Sequence, residues 1–406
     1  MFLGLVFGSI KIISFLSPLF LKNLINSNIL YGQFEYSLSL GQILASLICM
    51  GFSSTYAYFI VIQNKNALKP IFHLHFLIFI SLCFVTAILY PKILDNLYFG
   101  AFVIAILLAD QIFMSATLKL AERNNSSVLI DSLIYFNLAI ILVLTKIEVI
   151  NFNNKIWHQS ILLLLIIIGV VYHLRNLDGI KNLKFKYFKE LYGYAGLILI
   201  STPLLYMINS GTRIYIEWLL DFDKVGTYSY FFRIASFSLI FYRITTILLY
   251  KKIFTSEIKI LDSYFQRLSI FLLSLNIVTY LFLKYGYSYL NFLPSLDLNE
   301  NIILLCLFQI NFWVNTALLE SIIQRENKVK HFILLLLTVN ILMIGSYYFM
   351  KYYEILTISK IISWNVAAIF LVFLGQIYIL KRTAFFKKLL IIHSITGIGF
   401  LFFLIL

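Results

Sequence analysis

Apolar runs of roughly membrane-spanning length follow one another from Met1 to Leu406, separated mainly by short polar turns rich in Lys and Arg. A bilayer core takes about 20 apolar residues per helix, and a chain crossing it must satisfy its backbone polar groups internally. Long apolar runs bounded by polar interruptions predict helices. The pattern places twelve of them near 2–21, 34–62, 71–90, 98–120, 127–145, 157–174, 194–219, 225–250, 266–285, 301–323, 332–350 and 357–380. A last run at 389–406 has 18 residues, the lower limit for a span, and reads as a thirteenth helix or as an interfacial tail. No small-residue cleavage site follows the first run, so 1–21 is expected to be a retained helix.

The predicted fold is all-α: a polytopic transmembrane bundle of two six-helix lobes, with the C-terminal run as an extra helix. The lobes are expected over 1–174 and 194–380. Between them a basic stretch at 175–193, with Arg175, Lys181, Lys184, Lys186 and Lys189, reads as a cytoplasmic linker too short to bury a core. A second basic segment opens 381–406.

Composition agrees: 61% of residues are hydrophobic and 12% charged, against about 25% charged in soluble domains. The net charge of +14 does not point to nucleic acid, because basic residues in a membrane protein mark cytoplasmic loops. With the N-terminus inside, twenty of the 32 basic residues fall on the cytoplasmic side and seven on the other. Cys49, Cys83 and Cys306 are odd in number and sit within apolar runs, which indicates packing and no disulfide framework.

The halves echo one another. Ser17-Pro18-Leu19 precedes Gly32-Gln33-Phe34-Glu35-Tyr36, and Thr202-Pro203-Leu204 precedes Gly226-Thr227-Tyr228-Ser229-Tyr230. Duplication of a six-helix unit is a common transporter plan. Pro70, Pro91 and Pro294 are expected in loops, whereas Pro18 and Pro203 fall inside helices, where proline bends the axis.

Five basic residues remain within spans: Lys11, Arg213, Arg233, Arg243 and Lys360. A charge near the bilayer centre costs about 2.5–3.5 kcal/mol on the insertion scale, so such residues face a bundle interior or an aqueous path. Arg233 and Arg243, ten residues apart on one expected helix, could line a cavity at two depths. With Arg213 and Lys11 they are the candidate substrate-binding residues, since the Arg fork suits a diphosphate or an acidic sugar. The alternatives are a pair between Arg213 and Glu217, snorkelling of Arg243 and interfacial anchoring by Lys360.

Asp110 is the acid nearest the middle of a span, a candidate for proton coupling or for a salt bridge to a neighbouring helix. Glu35, Asp131, Glu217 and Glu320 lie nearer span ends. Asn209, Gln309, Asn311, Asn315 and Asn340 suit hydrogen bonding between helices more than sugar contact. The 27 tyrosines and 4 tryptophans fit interfacial belts and packing. No phosphate-binding loop or nucleophile elbow occurs. The histidines at 73, 75, 158, 173, 331 and 393 suggest no metal site, because His73 and His75 would point to different helix faces. Neither a cofactor nor an enzymatic activity is expected.

Three segments carry a resemblance: Leu30-Tyr31-Gly32-Gln33-Phe34-Glu35-Tyr36, Met50-Gly51-Phe52, and Asp223-Lys224-Val225-Gly226-Thr227-Tyr228. In their order and spacing the chain resembles the polysaccharide exporters of the multidrug/oligosaccharidyl-lipid/polysaccharide superfamily, most closely the O-antigen flippases of the Wzx type. The resemblance implies a two-lobed bundle in the bacterial inner membrane, N-terminus cytoplasmic. It would move an undecaprenyl-diphosphate-linked oligosaccharide to the periplasmic leaflet by alternating access. Membrane lipids and a polysaccharide polymerase are the implied partners, with no nucleic acid. Arg233 falls where such flippases often carry a basic residue; Thr212-Arg213 departs from their acidic-basic pair. An O-antigen polymerase would have a large periplasmic loop, whereas the longest expected outer loop is 286–300. A multidrug exporter of the same fold would have a more acidic, aromatic cavity.

Overall fold

The structure, a computed structural model, describes residues 2–25, 27–56, 59–60, 63–177, 185–286 and 300–405. Lys181, Lys184, Pro294 and nearly all of the outer loop expected at 286–300 lie outside the described residues. The chain is an all-α polytopic helical bundle, with no strand among the described residues. Among the described residues ten helices are long and apolar enough to cross a membrane, or eleven if one bent pair counts as a single span.

Two compact units emerge, Met1–Tyr206 and Met207–Leu406. The first holds α1 (Phe2–Ile25), α2 (Asn28–Cys49), α3 (Phe52–Tyr56), α4 (Lys69–Leu89), α5 (Leu97–Leu120), α6 (Asn124–Ile130), α7 (Leu133–Lys146), α8 (Asn154–Leu164) and α9 (Val171–Arg175). A π-helical stretch, Leu165–Val170, joins α8 to α9. Most of α10 (Phe185–Asn209) belongs here too, so positions 185–193, expected as linker, are helical. Asn96 starts α5 by accepting from the amides of Tyr98 and Phe99, and Asn153 starts α8 through the amide of Ile156. These side chains satisfy amides that have no partner within the helix. At the middle of this unit α5 packs against α2, α4, α6 and α8.

The second unit contains α11 (Thr212–Leu219), α12 (Phe222–Ala235), α13 (Leu239–Thr255), α14 (Ile258–Gly286), α15 (Glu300–Arg325), α16 (Val329–Tyr352), α17 (Ile358–Leu380) and α18 (Lys387–Ile405). Here α15 is central, 78% buried, and touches α12, α13, α14, α17 and α18. The last apolar run is a helix of spanning length, only 28% buried. Its first amides, at Lys388 and Leu389, donate to the Asp262 carboxylate. Along α16, exposed Leu334, Leu337, Ile341 and Leu342 form an apolar stripe suited to lipid.

The structure breaks four of the expected continuous helices. The span expected at 34–62 stops at Cys49, where Met50 and Gly51 take left-handed φ values of 48° and 66°. Gly51 is required twice over: its φ is left-handed, and a Cβ there would lie 2.4 Å from Ile198 Cγ2. The span expected at 194–219 breaks between Asn209 and Thr212, and that at 225–250 passes through a 3-10 turn, Ser236–Ser238. That at 127–145 bends by 55° between α6 and α7. Pro18 and Pro203 do lie inside α1 and α10.

Candidate functional site

Breaking a helix in hydrocarbon frees backbone groups that no water can satisfy. Side chains fill that role here. At the end of α2, the carbonyl of Ile48 accepts from His75 Nε2 at 2.7 Å, which leaves the other ring nitrogen of neutral His75 to accept from the Tyr192 hydroxyl at 3.0 Å. At the end of α10, the carbonyl of Ile208 accepts from Asn365 Nδ2 at 2.7 Å. At the end of α13, the carbonyls of Ile253 and Ser256 accept from Arg325 Nη1 at 2.9 and 2.8 Å.

In the second unit, Asn365 belongs to a buried network. Gln309 Nε2 donates to Asn365 Oδ1 at 2.7 Å and to Thr212 Oγ1 at 3.0 Å, while Gln309 Oε1 accepts from Tyr228 at 2.8 Å. Beside it lies Arg213, 5% exposed. Its Nε donates to Ser229 Oγ at 2.8 Å, and its guanidinium stands 4.9 Å from the Phe232 ring and 5.5 Å from that of Tyr228. Packing against aromatic faces offsets part of the desolvation of the charge. The short α11 forms between the break and Leu220, and brings Thr212 and Arg213 to this network together.

The other candidates have different surroundings. Arg233, on the last turn of α12, is half-buried, and Arg243 on α13 is exposed. The 3-10 turn between them means that their relative rotation cannot be counted on one uninterrupted helix. In the first unit, Lys11, 4% exposed, donates to Ser132 Oγ at 2.9 Å, at the bend between α6 and α7. Lys119 and Asp131 form an ion pair of 3.2 Å at the same bend. Glu35, expected nearer the end of its span, is fully buried and accepts from Tyr31 at 3.1 Å. Lys360 is exposed at the start of α17, and Glu217 and Glu320 are half-buried.

Of the amides, Gln309 is the hub described above, and Asn315 meets His393 Nδ1 at 3.1 Å. Asn340 turns back on its own helix to the carbonyl of Leu336. Neither polar atom of buried Asn311 has a hydrogen-bond partner among the described residues.

Asp110, 2% exposed, accepts from His173 Nε2 at 2.6 Å, so the neighbouring-helix partner is an imidazole. The other nitrogen of His173 lies 2.9 Å from His73 Nδ1. From the sequence these imidazoles are weighed only as metal ligands, and no group of three or more His, Cys, Asp or Glu suited to a metal occurs among the described residues. The signal that finds them is simpler: they are ionisable residues inside apolar runs. His73 and His75 do point apart, the first to His173 and the second to Ile48 and Tyr192.

Comparison with family models, with curated proteins and with solved structures gave no match for this chain.

Proposed function

We propose that the chain is a membrane transporter that flips an undecaprenyl-diphosphate-linked oligosaccharide from the cytoplasmic to the periplasmic leaflet by alternating access. The single observation that carries the transport reading is Arg213: a permanent charge, 5% exposed, at a helix break within a membrane bundle. Buried charges and broken helices at membrane depth are costly, and membrane proteins keep them where a polar cargo passes. The lipid-linked sugar follows from the resemblance and from Arg chemistry, because guanidinium groups grip diphosphate oxygens through paired donors. In this reading Arg233 and Arg243 engage the diphosphate, with Arg213 as a further contact within the same unit, in the inner membrane of a bacterium.

The test is complementation of a deletion strain, scoring surface polysaccharide by gel and immunoblot while the membrane fraction is probed for the protein. Arg233→Ala is expected to abolish surface polysaccharide with the protein still in the membrane. Normal polysaccharide in that variant would overturn the assigned site.

A further inference from the structure

The first unit contains a continuous line of ionisable side chains from near one helix end to mid-span. His73 lies four residues past Lys69 at the start of α4, about 6 Å along the axis. Asp110 lies ten residues before the end of α5, about 15 Å from it. His173, on the last turn of α9, joins them with contacts of 2.6 Å to Asp110 and 2.9 Å to His73. We propose that His73, His173 and Asp110 form a proton-transfer chain that loads one proton onto Asp110.

Proton bookkeeping gives the chain two states. The two facing Nδ1 atoms can share only one proton between neutral rings. In the first state His73 Nδ1–H donates to His173 Nδ1, and His173 Nε2–H donates to the Asp110 carboxylate. A proton taken up at His73 Nε2 releases the Nδ1 proton of His73 to His173 Nδ1, and His173 passes its Nε2 proton to Asp110. The second state has a neutral carboxyl that donates to His173 Nε2, and His173 Nδ1–H donates to His73 Nδ1. Every hydrogen bond has reversed, both rings have changed tautomer, and the chain has gained one proton with no imidazolium left behind.

Two features build this line. A π-helical stretch is a local insertion that re-aims the helix after it and often marks a functional position. Here Leu165–Val170 precedes His173 and contains Gly169, where a Cβ would sit 2.7 Å from Asp110 Oδ2. Only glycine lets the two helices close on the carboxylate without displacement. Around the rings, Phe76 stacks on His173 at 5.2 Å with planes 9° apart, and Phe113 meets both imidazoles. An apolar wall of this kind keeps the proton on the side chains. The other titratable groups nearby are Lys69, Cys49, His75, Tyr56 and Tyr172. His75 and Tyr172 are engaged elsewhere, with Ile48 and Thr117.

The inference rests on the transport reading only for its purpose, and proton loading is measured on the protein alone, so failure of polysaccharide flipping leaves it standing. The full-length protein is reconstituted in vesicles of phosphatidylethanolamine and phosphatidylglycerol and followed by infrared difference spectroscopy after an acid step. The expected result is a carboxylic acid band that Asp110→Asn removes. His173→Gln and His73→Gln, which can hydrogen-bond but cannot relay a proton, should slow its appearance at least about tenfold. An absent band, or an unchanged rate in both glutamine variants, overturns the proposal. Nitrogen NMR of the wild-type histidines needs no variant that might misfold: both rings must exchange tautomers on acidification, and a lasting imidazolium or fixed tautomers would count against the chain.

Discussion

The two units solve the same problem with different chemistry. Each contains a helix broken in its apolar interior, and each patches the exposed carbonyl with one side chain, His75 for Ile48 and Asn365 for Ile208. Their buried polar cores then diverge. In the first unit the core is titratable, with Asp110, His173, His73 and the fully buried Glu35. In the second unit the network beside Arg213 is built of neutral amides and hydroxyls, and the Arg213 charge does not change with pH. A network of amides fixes one arrangement because each donor and acceptor has a single role. A chain of imidazoles has two arrangements of equal bonding, and a proton selects between them. The comparison teaches that the amide network beside Arg213 is chemically rigid and the imidazole chain at Asp110 chemically switchable.

The strongest challenge to this contrast is Gln309→Leu, which strands Tyr228, Thr212 and Asn365 together. Thermal unfolding in detergent should show a loss of about 3 kcal/mol, from about 1–3 kcal/mol per stranded buried group, with some relaxation. The loss should be the same from about pH 5 to about pH 8, because none of these groups titrates there. Gly169→Ala comes next: the added methyl meets both Asp110 Oδ2 and Ile80 Cδ1, at 2.7 and 3.0 Å. Overpacking of this kind costs about 1–3 kcal/mol, and the Asp110–His173 bond should lengthen, read as a downfield-to-upfield change of the bridging proton in NMR. Asp110→Asn keeps an acceptor for His173 and should cost about 1 kcal/mol in the same unfolding assay. The smallest effect belongs to Ser132→Ala, which removes an acceptor from Lys11 at the α6–α7 bend. Interhelical hydrogen bonds in membranes average about 0.6 kcal/mol, so a shift of that order is expected in the same unfolding assay.

Much of the architecture is legible in the sequence. The all-α polytopic character, the helical interiors around Pro18 and Pro203, and the interior placement of Lys11, Arg213 and Asp110 follow from apolar run lengths alone. The breaks were not legible. Met50-Gly51 and Ser210-Gly211 are short interruptions inside apolar stretches, and hydropathy is blind to a two-residue change of backbone direction. Arg213 shows the same limit, since its sequence neighbour Glu217 suggested an ion pair, while the fold turned the guanidinium onto Ser229 and two aromatic rings.

Hydrophobicity along the chain determined that this protein lives in lipid as a bundle of helices, because apolar runs of about 20 residues in a bilayer satisfy their backbone polar groups within a helix. It also determined which ionisable residues must be sheltered, Asp110, His73 and His173 among them, because each is embedded in an apolar run. Which of them meet was decided by the tertiary structure. His73, Asp110 and His173 are separated by tens of residues, and their contacts depend on helix rotation, on the π-helical stretch before His173 and on the space left by Gly169. Those are properties of packed helices, set by side-chain fit across interfaces rather than by the order of residues within any one of them.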